Sequence, residues 1–326
     1  MSAMKFARKW WMALCGLVPL LWFGPVSPLQ ADAVVHNGLK REFFVHAPHS
    51  RGQSRPLPLV FVLHGGGGTA RKVKGFGEFT GFDALADREK FIAVYPVAYE
   101  EHWHDSDREG TRESWNVDDV GFLRALIQLL SQQYAVDSTR IYATGMSNGG
   151  AMSFKLACDA APTFAAIAPV SSFFPQQLRE SCRPSRAVPV LFMVGTNDPL
   201  VPWQGGQLHM RKKQLGAILP ANGTMAFWAS NNRCRNPITQ DLPDVDPSDK
   251  TRVSRQVYQQ CSQDAEVVLY TIENGGHTWP GGKQYLPKMI VGIASQDINA
   301  SAVIWDFFKR HSLSSSSSTS SPLPIR

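Results

Sequence analysis

Ser147 stands in the run Gly145-Met146-Ser147-Asn148-Gly149, directly after four strand-forming residues, Ile141, Tyr142, Ala143 and Thr144. A serine flanked by glycines at two-residue spacing, between a strand and a helix, suits a sharp turn that lifts one hydroxyl out of the chain. A hydroxyl is a weak nucleophile at neutral pH. It needs a base within hydrogen-bond reach, and the base needs an acid to fix its tautomer and stabilise its cation. Two later loops offer those groups. Gly195-Thr196-Asn197-Asp198-Pro199 follows the apolar run Val188–Val194, and Gly275-Gly276-His277 follows Glu266–Ile272. Ser147, Asp198 and His277 thus each come just after a strand, in the order nucleophile, acid, base. Each has a plainer reading: a Gly-rich turn, an Asx turn in Asn-Asp-Pro and a loop histidine. The set of three, in order and at strand exits, favours nucleophilic acyl transfer.

The negative charge that develops in such a reaction needs donors. His64-Gly65-Gly66-Gly67-Gly68 follows the apolar run Leu59–Leu63, and glycines there let backbone N–H groups approach a substrate carbonyl. Gly65 or Gly66 is expected to supply one oxyanion donor and the backbone N–H of Asn148 the other, with His64 structural. Losing one such donor costs about 3–4 kcal/mol of transition-state stabilisation.

Those loops need a scaffold that carries them all on one side. Leu59–Leu63, Phe91–Tyr95, Phe164–Val170 and Val188–Val194 are apolar runs, the signature of strands buried on both faces of a parallel sheet, and Arg140–Thr144 reads as a further strand. Arg41–Ala47, Arg252–Tyr258 and Glu266–Ile272 read as further strands. Phe82–Lys90, residues 149–158, Thr224–Ser230 and Ala300–Arg310 read as helices. Val117–Tyr134 is the clearest helix, with Val120, Leu123, Ile127, Leu130 and Tyr134 on one seam. Asp118 and Asp119 in its first turn suit the helix dipole. Alternating strands and helices predict an α/β fold with its site at the carboxyl ends of the strands.

At 326 residues, 43% hydrophobic and 18% charged, the chain suits one large α/β domain. Lys5, Arg8 and Lys9 precede an apolar run, Trp10–Phe23, and Ala31-Asp32-Ala33 supplies small residues beyond it. The pattern predicts a secretory signal peptide over residues 1–33, a catalytic domain over 34–311 and a disordered Ser-rich tail over 312–326. The expected location is secreted or periplasmic, with no membrane association after cleavage. The formal charge of +6 lies partly in the N-terminal segment and forms no basic stripe, so no nucleic-acid partner is expected. Export leaves four cysteines, Cys158, Cys182, Cys234 and Cys261, which suggests two disulfides. Sequence-local pairing is the simplest of three connectivities.

His102 and His104 sit two apart in a loop with no second ligand cluster, so no metal site is expected. Trp103, Trp115, Trp203 and Trp279 lie in loops. Each alone suits a core, but Trp115, Trp203 and Trp279 are expected to line a substrate cleft.

Taken together, the motifs resemble the secreted α/β-hydrolase esterases of the polyhydroxybutyrate-depolymerase and feruloyl-esterase type. The likeness is carried by Leu63-His64-Gly65-Gly66-Gly67-Gly68, Val117-Asp118-Asp119-Val120-Gly121-Phe122-Leu123, Gly145–Gly150, Gly195–Pro199 and Gly275-Gly276-His277-Thr278-Trp279-Pro280-Gly281-Gly282. It continues into Val303-Ile304-Trp305-Asp306-Phe307-Phe308 and spans about residues 35 to 311. The resemblance implies an α/β-hydrolase fold and a cofactor-free serine esterase with Ser147, Asp198 and His277 in the three roles. It also supports the pairs Cys158–Cys182 and Cys234–Cys261. Glu100–Arg112 and Gln207–Pro220 depart from the family pattern and bear on substrate choice. Hydroxycinnamoyl or acetyl esters of plant polysaccharide are the expected substrates, with hydroxyalkanoate oligomers as the alternative. A non-catalytic polymer-binding protein on a hydrolase scaffold is the alternative of another class.

Overall fold

The computed structural model describes residues 32–48, 55–106, 117–210 and 213–314. It opens with a hairpin of β1 (Asp32–His36) and β2 (Leu39–His46), turned by Asn37-Gly38, both at positive φ. Asn-Gly is the sequence that a two-residue hairpin turn of this hand favours. β1 starts two residues before the expected domain boundary, with Asp32 opposite Phe43 and Ala33 opposite Glu42. The rest of the expected signal peptide lies outside the described residues, as does the tail beyond 314.

The chain continues through β3 (Leu57–Leu63), three short helices α1 (Ala70–Lys74), α2 (Phe76–Thr80) and α3 (Phe82–Glu89), then β4 (Ile92–Pro96) and α4 (Asp119–Gln133). β5 (Val136–Met146), α5 (Asn148–Asp159), β6 (Ala166–Val170) and β7 (Val190–Gly195) follow. A separate hairpin, β8 (Gly206–Met210) and β9 (Lys213–Ile218), precedes α6 (Ala221–Asn231). The chain then runs through β10 (Pro237–Asp241), β11 (Arg252–Tyr258), β12 (Val267–Glu273), the short α7 (Lys288–Val291) and α8 (Ala300–Phe308). Among the described residues no helix is long and apolar enough to cross a membrane.

Ten strands form one sheet in the order β1-β2-β4-β3-β5-β6-β7-β12-β11-β10. The six from β4 to β12 are parallel, and antiparallel strands close both edges. The parallel strands are buried almost throughout, which is why they read as unbroken apolar runs. One face packs under α4, α5 and α6, with Leu126, Leu130, Phe154 and Trp228 fully buried. The other packs under α3 and α8, with Phe82, Ile304 and Phe308 fully buried. Each such side chain contributes about 1.5–3 kcal/mol on leaving water. The seam of α4 follows its period at Val120, Leu123 and Leu130, while Phe122 and Leu126 widen it and Ile127 stays half-buried.

β3 and β5 are neighbours, yet the chain leaves β3 toward β4 on one side and β5 toward β6 on the other. The carboxyl ends of β3 and β5 therefore flank a topological switch point, where an open α/β sheet leaves a crevice between its loops. The Gly-rich loop leaves one of these strands and the Ser147 turn leaves the other.

Candidate active site

β5 runs into Ser147, whose backbone N–H donates to Val170 O at 2.9 Å. The residue adopts φ 57° and ψ −119°, a strained conformation for a side chain with a Cβ. It is the N-cap of α5, but its hydroxyl makes no capping hydrogen bond. A serine in that place normally spends its oxygen on the helix; this one keeps it directed elsewhere. The flanking glycines permit the turn. A Cβ on Gly145 would lie 2.6 Å from the backbone carbon of Gly149, and one on Gly149 would lie 2.3 Å from Leu63 O. The motif thus presses the start of α5 against the end of β3.

Gly65 lies beside the Ser147 turn: a Cβ on it would come within 3.5 Å of Ser147 Cβ and of Met146 O. His64 braces this loop. It is buried, Nε2 accepts from Ala98 N–H at 3.0 Å, and Nδ1 meets Gly65 O at 2.7 Å. An accepting Nε2 leaves the proton on Nδ1, which donates to Gly65 O. Burial lowers the His64 pKa to about 4, so the ring is neutral. Gly67 N–H is committed to Glu101 O. Gly65, Gly66 and the first N–H of α5 remain as the oxyanion candidates, since the opening N–H groups of a helix have no intrahelical acceptor.

Asn148 carries a second role that the sequence reading missed. Its side-chain oxygen accepts from Trp103 N–H at 2.8 Å. Its amide nitrogen donates to Trp103 O at 3.0 Å and to Asp105 Oδ2 at 2.7 Å. The residue after Ser147 therefore clamps the 103–105 segment beside the Gly-rich loop. Trp103 is fully buried and its indole N–H donates to His64 O. The segment is held from behind by Asp119, whose Oδ2 accepts His104 N–H at 2.7 Å and whose Oδ1 pairs with buried Arg41 at 2.6 Å. Burial raises the Asp119 pKa, opposed by Arg41. Asp118 and Asp119 were read alike as dipole partners. In the structure Asp118 caps α4 through Gly121 N–H at 2.7 Å, and Asp119 is turned inward. A hydrophobic hexapeptide with two acids does not reveal which one is buried.

The Asp198 and His277 loops interlock. A Cβ on Gly195 would sit 2.2 Å from Gly275 O, and Asn197 N–H donates to that same oxygen at 3.0 Å. Asp198 is buried. Its Oδ1 accepts the N–H groups of Leu200 and Val201, both at 2.8 Å, and its Oδ2 meets His277 Nδ1 at 2.8 Å. Two backbone donors and one imidazole thus fix the carboxylate, and the carboxylate orients the ring. The His277 loop is tied to the β6 exit, where Ser171 Oγ donates to Thr278 O at 2.8 Å. Among the described residues no hydrogen bond joins Ser147 Oγ to His277; such contacts commonly tighten only when substrate binds.

The tryptophans divide. Trp203 is half-buried, edge-on to Phe173. Trp279 is a correction: it is 1% exposed, set between Phe76 and Phe82, and its indole donates to Ser301 Oγ. The loop after His277 folds back against α2, α3 and α8, so this residue belongs to the core and not to a cleft. Trp115 lies outside the described residues. Both disulfides are the sequence-local ones, Cys158–Cys182 and Cys234–Cys261.

Residues 44–181 match the family model described as "Esterase PHB depolymerase". A putative esterase, NocK, of Nocardia uniformis subsp. tsuyamanensis is 29% identical over 87% of this chain and 84% of its own length. Feruloyl esterase D of Neurospora crassa is 27% identical over 81% of each chain. The chain is similar to esterases of the polyhydroxybutyrate-depolymerase and feruloyl-esterase type. Feruloyl esterase B of Piromyces equi is 30% identical over 62% of this esterase, which spans about a third (34%) of that protein's length. The fold is that of the α/β-hydrolases. An acetyl xylan esterase from Aspergillus awamori superposes with a TM-score of 0.55 at 15% identity, over 86% of this esterase and 99% of that chain. A thermostable esterase superposes with a TM-score of 0.53 at 16% identity, over 87% and 63%.

Proposed function

We propose that this esterase cleaves carboxylic esters through an acyl-enzyme at Ser147. The observation that carries the reading is the buried Asp198–His277 hydrogen bond at 2.8 Å, on loops tied to the strand exits beside a serine held at φ 57°. His277 takes the Ser147 proton as the oxygen attacks the carbonyl, then gives it to the departing alcohol. Asp198 holds the ring and stabilises its cation. The backbone N–H of Asn148, with that of Gly65 or Gly66, receives the oxyanion. Water then attacks the acyl-enzyme with His277 again as base, releasing the acid.

The proposed substrates are hydroxycinnamoyl or acetyl esters of plant polysaccharide. Feruloyl esterases recur among the relatives, and these support the acyl half of that assignment. The two disulfides support a working place in an oxidising compartment, secreted or periplasmic. A hydroxyalkanoate oligomer is the second reading. It is favoured by an exposed apolar segment soon after His277, where Leu286, Met289 and Ile290 face solvent. Turnover of methyl ferulate, acetylated xylan and hydroxybutyrate trimer by the wild-type protein separates the two. The proposal expects one of the first two to give the highest kcat/KM; a preference for the trimer overturns it in favour of the second reading.

A further inference from the structure

One face of the β10–β11–β12 edge changes character along its length. Val267 and Leu269 of β12 point into the core beneath α6; two and four residues on, the same face presents Thr271 and Glu273. The register places Ser254 opposite Thr271, Arg252 opposite Glu273, and Asp241 opposite Ser254, so these side chains share that face. Beyond the core they floor a trough of about 1040 Å³, walled by Trp203 and Gln204 and by the loop that carries Asp198. Asp198 belongs to both places: its carboxylate holds His277, and its loop forms the trough wall.

The lining decides the ligand class. Pockets for apolar molecules are lined mainly by hydrophobic side chains. Here carboxylates, hydroxyls, an amide and a guanidinium predominate around one half-buried indole. An aromatic plate beside many hydrogen-bonding groups matches a sugar ring, with apolar C–H faces and hydroxyl edges. Asp241, Asp244 and Glu273 outnumber Arg252, which is itself paired with Asp244 at 2.6 Å, so an anionic ligand is disfavoured. Among the described residues no three acidic, histidine or cysteine groups are placed to hold a metal ion.

We infer that the trough is a glycan subsite that takes uncharged sugar residues of the chain bearing the ester. The inference rests on the proposed polysaccharide-ester function, and it names the alcohol half of the substrate. An acyl group at Ser147 and a sugar chain crossing the acid loop would then be held on the two sides of Asp198.

The test separates this subsite from the function it serves. The Ser147→Ala protein is titrated with an unesterified linear xylo-oligosaccharide by calorimetry, with indole fluorescence as second readout. Saturable binding is expected, weakened about tenfold by Trp203→Ala, the scale of one aromatic contact. Because Trp203 also packs on Phe173, Ser254→Phe is a second probe that fills the trough from β11. In the Ser147-intact background, either change should raise KM for a feruloylated oligosaccharide about tenfold more than KM for methyl ferulate. No oligosaccharide binding, or equal binding with and without Ser254→Phe, overturns the subsite even if methyl ferulate is turned over well. Failure of the proposed function shows separately, as no turnover of methyl ferulate or acetylated xylan by the wild-type protein.

Discussion

At the scale of single residues, the groups that do chemistry are few and the groups that hold them are many. Asn148 is the clearest case. Its backbone N–H is a proposed oxyanion donor, while its side chain makes three hydrogen bonds to the 103–105 segment. Asn148→Ala removes the clamp without removing the backbone donor. It is expected to lower kcat on a soluble nitrophenyl ester by about 10–100-fold with little change in KM, the scale of a slightly misplaced catalytic group. Steady-state kinetics check this. His64 gives a pH signature. Unfolded, it takes up a proton near pH 6.5; folded, it resists until about pH 4 because it is buried. Between those values the unfolded chain binds more protons, so stability falls as pH drops from 6.5 to 4, by about 3 kcal/mol in all. Urea unfolding across that window should show the loss, and His64→Gln should flatten it by about one proton. The Ser147 turn was legible in the sequence because the glycines and the preceding strand formers act locally. The burial of Asp119 against Arg41, 78 positions away, was not, since nothing local separates it from Asp118.

At the scale of elements, what could be read depended on where each strand lies. β3, β4, β6 and β7 are buried on both faces and announce themselves as apolar runs. β10 is an edge strand with four of five residues exposed, so Pro237–Asp241 carries no buried apolar run to mark it. The β8–β9 hairpin lies outside the main sheet and its mixed composition hid it. Trp279 misled because a Gly-rich loop suggested exposure, whereas the loop folds its indole back among Phe76, Phe82 and Ser301. The glycines between elements lead to another prediction. Gly195→Ala would push a Cβ to 2.2 Å from Gly275 O, a backbone atom that cannot swing aside. Separating the acid and base loops should cost about 1–3 kcal/mol of stability and a larger share of activity. A Tm drop together with a fall in kcat beyond what unfolding accounts for would bear this out; a wild-type kcat would contradict it.

At the scale of the whole molecule, the sheet order gathers distant residues. β3 and β5 flank the switch point and bring the His64–Gly68 loop beside Ser147, while the parallel neighbours β7 and β12 bring Asp198 to His277, 79 positions on. Each disulfide closes a short loop, 24 and 27 residues in span, and each is worth about 3–4 kcal/mol if chain entropy governs it. The position of Asp198 and His277 just after strands made their meeting legible, because in an open α/β sheet parallel strands all end on one side. The sequence did not anticipate the trough beside Trp203, which depends on the register of three antiparallel edge strands. The central claim is that Ser147 is a nucleophile activated by His277. Its most direct test is the reaction of the intact protein with a fluorophosphonate, followed by mass spectrometry of the labelled peptide. The account predicts one phosphonate per chain, on Ser147, lost in Ser147→Ala and slowed by orders of magnitude in His277→Ala while both variants keep the native circular dichroism spectrum. An unlabelled Ser147, or labelling indifferent to His277, would contradict it.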